Sequence, residues 1–334
     1  MPIVSVGDMA QHFISMRNGS NIKTQLSNLA EQLSTGQVTD IASHLQGQTT
    51  QFSGINHSLT LLNQYSSITQ ETEITLTAMQ TVMDEINTSI TDTAGHLLLV
   101  SNNSSDAQVT EAAFAARSTF DGLVALLNTR VADRAIFGGT EVEMSPLTDP
   151  DAMLADLQAA VGTNTSHAGI MTAIDTWFDD PSGGFSTVAY QGDTGNAPQK
   201  RISNNTKITV DARADDPAFR AALKSAAIAA IVHEAPTLSL DVKSELLQNA
   251  GINMHAAASD LTSIQSRIGY VEEIVAREQT EIGYEATALS IAKNNLISAD
   301  PFDTAARLQA VQIQLETHYA ATAQISQLSL LSYL

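Results

Sequence analysis

A hydrophobic repeat of seven residues constrains this chain more than any other feature. Ile55, Leu62, Thr69, Leu76, Met83, Ile90 and Leu97 fall seven apart, and Ser58, Tyr65, Thr72, Met79, Ile86, Thr93 and Val100 follow them by three. That spacing places both sets on one seam of an α-helix. Over about 46 residues, at 1.5 Å rise per residue, the helix is roughly 70 Å long. Ser and Thr on the seam weaken it, so the helix should need partners on more than one side.

The same pattern recurs toward both ends. Ile22, Leu26, Leu29 and Leu33 form a shorter seam that "STGQ" interrupts, with Gly36 as the expected helix stop. After the long repeat, "NNSS" reads as a turn and Ser105 with Gln108 as a capping box. A second helix follows with Val109, Ala113, Ala116, Phe120, Leu123 and Leu127 on one face, expected to end at Gly138-Gly139. The two helices predict an antiparallel hairpin. Beyond Pro236, Leu261, Ile268, Val275, Ile282, Leu289 and Leu296 are again seven apart, until Asp300-Pro301 breaks the helix. The last helix carries Phe302, Leu308, Val311, Leu315, Tyr319, Ile325 and Leu328. Its apolar stripe of Ile325, Leu328, Leu331 and Leu334 runs to the final residue.

Residues 140–235 read differently. Proline and glycine are frequent there, and "FSTVAY" and "KITVDA" show the β-branched alternation of short strands. Asp216-Pro217 predicts the cap and first turn of another helix. The expected fold is therefore mainly α: a long antiparallel helical rod built by both chain ends, with a small α/β insertion in the middle. The divisions are an N-terminal helical arm (1–50), the first rod half (51–139), an inserted outer domain (140–235), the returning rod half (236–299) and a C-terminal helical arm (300–334).

Composition narrows the function. The net charge is −20, from 36 acidic and 16 basic residues, which disfavours nucleic acid because phosphate contacts need clustered Lys and Arg. Residues 301–334 are nearly neutral, with only Asp303, Glu316 and Arg307 charged. The chain has no cysteine, so disulfides, thiolate metal sites and thiol nucleophiles are excluded. No run approaches the ~18 apolar residues of a membrane span, and "MPIVSVGDMAQHF" has no cleavable signal pattern. Ser290-x-x-Lys293 matches an acyl-serine tetrapeptide but lies mid-helix without companion motifs. The eight histidines form no close ligand pair, and His318 falls in the last seam. No enzyme activity, catalytic residue, cofactor or metal is expected. A lone amphipathic helix is marginal in water, so both ends should be loosely held in a monomer and close against neighbouring subunits.

Several segments carry a resemblance. "LAEQLSTGQ" (29–37), "RAIFGGTEVEMSPL" (134–147), "AYQGDTGNAPQKRIS" (189–203) and "ADPFDTAARLQAVQIQLETHYAATAQISQLSLLSYL" (299–334) resemble, in this order, segments of the flagellin family, most closely its hook-associated protein 3 (hook–filament junction) type. The motif positions are Phe137, Gly138, Gly139, Tyr190, Gly192 and Asp193. The chain departs from filament flagellins in two places: no Asp-Asp-Ala-Ala-Gly follows "LSTG", and no Ser-Arg-Ile-x-Asp-x-Asp precedes the last helix. The resemblance implies a structural subunit of the bacterial flagellum, extracellular and exported unfolded through the type III channel. It also implies the partners: the chain itself, a hook-associated protein on the hook side, flagellin on the filament side, and an export chaperone on the C-terminal helix. Ile22, Leu26, Leu29, Leu33, Leu308, Val311, Leu315, Tyr319, Ile325, Leu328, Leu331 and Leu334 would be interface residues. A filament flagellin, or a non-flagellar coiled-coil surface or tail protein, stays open as an alternative.

Overall fold

The computed structural model describes residues 6–331 apart from Asn196 and Pro236. The fold is mainly α, 74% helical, with two small antiparallel strand pairs. In chain order it comprises α1 (Val6–Thr35), α2 (Ile41–His44), α3 (Thr50–Leu98), α4 (Asp106–Leu127), β1 (Arg130–Val131), β2 (Arg134–Ala135), α5 (Pro150–Val161) and α6 (His167–Asp179). A π-helical turn (Phe185–Ala189), β3 (Gln199–Arg201), β4 (Lys207–Thr209), α7 (Pro217–Glu234), α8 (Leu240–Ile297) and α9 (Pro301–Leu331) complete it. The chain divides into two compact units. One joins the residues up to Asn63 with those from Gly283 onward; the other holds Gln64–Ile282.

The second unit has the continuous core. On α3, the seam positions Leu76, Met83, Ile90 and Leu97 are all 0% exposed, and on α8 Leu261, Ile268 and Val275 are at most 1% exposed. Side chains tie the two helices antiparallel: Gln279 Nε2 donates to Glu73 Oε2 at 2.8 Å, Gln80 Nε2 to the Gln265 carbonyl at 2.9 Å, and Gln265 Nε2 to Asp84 Oδ1 at 2.6 Å. The expected face of α4 is buried throughout and packs on α7. Both helices are rich in buried alanine, among them Ala112, Ala113 and Ala116 on α4 and Ala222, Ala226 and Ala229 on α7. Small side chains let the helix backbones approach closely.

The polar positions of the seam are buried as well. Thr69 and Thr72 are 0% and 1% exposed, and their hydroxyls donate to the Ser66 and Ile68 carbonyls of their own helix. Each hydroxyl is thereby satisfied without a partner from another element. Nearby, the loop of the β3–β4 hairpin is held at two points. Tyr65 Oη of α3 donates to Asn204 Oδ1 at 3.1 Å, and Thr206 Oγ1 donates to Glu278 of α8 at 2.5 Å.

Local signals place several helix ends. Ser105 and Gln108 form the reciprocal capping box of α4, and Asp216 caps α7 with Pro217 in its first turn. Two expectations are corrected. Helix α4 stops at Leu127 rather than at Gly138-Gly139. There Asn128 pairs both ways with Leu147, its Nδ2 donating to the carbonyl (3.0 Å) and its Oδ1 accepting from the amide (2.8 Å). The chain then turns back through β1 and β2, with Ala132 (φ 48°) and Asp133 (φ 62°) in the left-handed conformations of a type I′ turn. The second correction is "FSTVAY", which forms the π-helical turn and not a strand. Phe185 is fully buried against Trp177, Phe178 and Tyr190, and the Tyr190 amide closes the turn on the Phe185 carbonyl at 2.8 Å. "KITVDA" does contain a strand, β4.

In the other unit, α1 and α9 lie antiparallel. Lys23 Nζ sits 5.7 Å from the centre of the Tyr319 ring, and the hydroxyls of Ser15 and Thr322 are 3.5 Å apart. A backbone clasp sets their alignment. The Val38 amide donates to the Ile297 carbonyl and the Ala299 amide to the Gly36 carbonyl, both at 2.9 Å. Gly36 ends α1 at φ 69°, a conformation that suits glycine. Asp300 separates α8 from α9, its carboxylate accepting from the Phe302 amide at 2.8 Å.

Candidate functional site: the terminal arms and a glycine–aspartate corner

Two places collect the residues singled out in the sequence. In the terminal arms, half of the named heptad positions turn inward. Ile22 is 9% exposed, and Leu26, Leu29, Leu308, Val311 and Leu315 are partly buried. Leu33, Tyr319 and Ile325 are exposed. Leu334 lies outside the described residues, as do the side chains of Leu328 and Leu331. His318 packs over Gly19, where an added Cβ would come within 2.9 Å of its Nε2.

The arms also present large apolar side chains outward; the sequence pattern counts Phe302 with the apolar residues of the last helix and does not single out the others. On α1, Met9, Phe13, Ile14 and Met16 are 58–67% exposed; on α9, Phe302 is 87% and Ile313 57% exposed. A signal for them existed: Met9, Phe13 and Met16 follow +4 and +3 spacing, and Phe302 and Ile313 lie about three turns apart. Each arm therefore covers one face of the other and leaves a second apolar face open. These outward apolar side chains are the arms' candidate interaction surface.

The second place unites the motif positions at 137–139 and 190–193. Phe137 is fully buried and meets Phe219 edge to face, with ring centres 5.3 Å apart. Gly138 leaves no room for a side chain, since a Cβ would fall 2.3 Å from the Glu141 carbonyl oxygen. Its own carbonyl accepts from the Asp193 amide at 3.0 Å. Gly139 adopts φ 70° beside Asp193 and Arg213. Tyr190 Oη donates to the Asp193 carbonyl at 2.8 Å, and Gly192 lies so near that ring that a Cβ would be 2.5 Å from the oxygen.

Asp193 binds the corner together. Its carboxylate accepts from Thr140 Oγ1 and from the Gly195 amide, both at 2.7 Å, and these bonds hold its pKa below the usual carboxylate range. Arg213 donates to the carbonyls of Asp193 (3.0 Å) and Gly195 (2.8 Å). Burial pushes the Tyr190 phenol up, helped by the charge of Asp215, so it stays a neutral donor. Asp215 is itself raised by burial, against the pull of Arg213 and Arg220. These are structural bonds between two loops; none leaves a nucleophile facing a base.

Other candidates are dispersed. Lys293 lies 5.8 Å from the centre of the Phe52 ring, and Ser290 is exposed. Among the described residues no set of three His, Asp or Glu side chains gathers as metal ligands, and no helix is long and apolar enough to cross a membrane. No curated protein matches the chain. Residues 252–334, spanning much of α8 and the whole of α9, match the family model of the bacterial flagellin C-terminal helical region, which supports the flagellin family for this chain.

Proposed function

We propose that the chain is a structural subunit of the bacterial flagellum that links hook to filament, of the hook-associated protein 3 type. The observation that carries the reading is the outward apolar face of the paired arms, in a chain whose C-terminal region matches that of flagellins. Neighbouring copies would interleave their arms and cover Met9, Phe13, Met16, Phe302 and Ile313, together with the seam from Ile22 to Leu33 and from Leu308 to Leu334. Fully burying one such side chain stabilises assembly by about 1.5–3 kcal/mol. Near-neutral residues 301–334 add little repulsion between copies. In this assignment residues 1–50 and 300–334 are the polymerisation arms, 51–139 and 236–299 the rod, and 140–235 the outer domain.

The junction type is favoured over filament flagellin by the two missing filament segments. "SRIG" at 266–269 falls inside α8, far in sequence from the last helix. On this reading a hook-associated protein adjoins one side and flagellin the other. An export chaperone holds the C-terminal helix until assembly outside the cell. Deletion of residues 316–334 is expected to leave a folded protein that cannot assemble, with cells that end in bare hooks under electron microscopy and shed flagellin. Normal filaments on cells carrying the truncation would overturn the proposal; a protein that grows long fibres by itself from a seed would identify a filament subunit instead.

A further inference from the structure

The outward face of the β3–β4 hairpin carries charges that have no ion-pair partner among the described residues. Arg201 and Lys207 stand directly opposite each other in the ladder, and both are exposed. Like charges at such a pair destabilise a hairpin. The inward Lys200 has Glu71 at 3.5 Å, but neither Arg201 nor Lys207 has an ion pair among the described residues. The cost is taken on in a chain with 36 acidic residues, where a nearby carboxylate would be easy to supply.

Charge is segregated along the sequence here. Residues 194–210 hold three cations and no Asp or Glu, whereas residues 135–199 hold nine acids and no Lys or Arg. Beside the hairpin lies a groove of about 560 Å³, lined by Lys207, Arg267 and Asp211 and by Ile268, Tyr270 and Ile274. Tyr270 is 65% exposed at this groove. The sheet has only two strands, so one side of the β4 backbone faces no strand among the described residues. An open strand edge accepts an extended segment.

We propose that Arg201 and Lys207, with the groove beside β4, form a docking surface for the acidic segment 141–144 of a second copy of the chain. That segment places exposed Glu141 and Glu143 two residues apart and ends in Met144, which is 54% exposed. Its carboxylates answer the unpaired cations, and Met144 suits an apolar groove. Because the two patches differ, the contact is heterologous and propagates from copy to copy into a ring or helix. The inference rests on the chain assembling with itself, but not on the arms or on the junction assignment.

The test uses full-length chains in sedimentation velocity at low and high salt. Arg201→Glu replaces a like pair with an opposite pair, so its melting temperature should hold or rise while low-salt self-association weakens by about tenfold. A purely structural role for the hairpin would move both together. A mixture of Arg201→Glu/Lys207→Glu with Glu141→Lys/Glu143→Lys should regain an association that neither variant shows alone. Wild-type-like association by Arg201→Glu at low salt, or a mixture that stays apart, would overturn the proposal. So would a wild-type chain that binds polyphosphate through these cations yet never another copy. An arm variant such as Leu315→Asp separates the two readings. If the arms are not an interface it assembles normally, and the charge swap still decides this contact.

Discussion

The heptad rule runs through both units of the molecule and ends differently in each. In the unit from Gln64 to Ile282, positions 76, 83, 90 and 97 of α3 are completely buried, because α8, α4 and α7 together build one core around them. In the unit holding the chain ends, α1 and α9 have chiefly each other. Ile22 reaches burial, Leu26, Leu29, Val311 and Leu315 remain partly covered, and Phe13 and Phe302 face outward. A heptad repeat states which face will be buried, but the number of helices available decides how completely. Two helices cannot cover two apolar faces each.

The contrast can be broken most forcefully at a pair of phenylalanines. Phe219→Ala in the core should cost about 3–5 kcal/mol of stability in thermal or denaturant unfolding. Phe13→Ala on the open face of α1 should change monomer stability by no more than about 0.5 kcal/mol, yet weaken assembly. Comparable monomer losses from both would mean that the arm face is already covered. A smaller effect is expected at the corner. Gly138→Ala forces a Cβ against the Glu141 carbonyl and should cost about 1–3 kcal/mol, with the arms unaffected by hydrogen exchange.

The smallest effect is on pH. The folded-state pKa of Asp193 is depressed, so its bonds to Thr140 and Gly195 contribute stability above the ordinary carboxylate value. That contribution is lost as pH falls through the lower folded value. Melting temperature measured below about pH 4 should therefore fall less steeply for Asp193→Ala than for the parent chain. Parallel curves would assign the acid sensitivity to other carboxylates.

The features legible in the sequence were those whose cause lies within a few residues. Ser105 and Gln108 cap α4, Asp216 with Pro217 starts α7, and Asp300 separates α8 from α9. The end of α4 was not legible, because Asn128 is fixed by Leu147, a partner well down the chain. The π-helical turn had the composition of a strand, and only its packing against Trp177 and Phe178 decides otherwise. At the corner, the motif residues were visible as two separate segments. Their meeting through Asp193 and Gly138 is a tertiary event that no local spacing encodes. On the arms, the strongest heptad positions drew attention to the inward face; the +4 and +3 spacing of Met9, Phe13 and Met16 was present in the sequence, but spacing alone does not tell a covered face from an open one.

The backbone clasp between residues 36–38 and 297–299 has a mechanical meaning. It pins the start of α9 to the end of α1 through main-chain atoms, which side-chain substitution leaves in place. Each residue of an α-helix advances the azimuth by about 100°. Beyond that anchor, the compass bearing of every outward side chain on α9 is thus set by its distance along the helix. Substitution on α9 changes the chemistry of that surface without turning it, while a single insertion between Phe302 and Ile313 would swing Ile313 away from the direction in which Phe302 points.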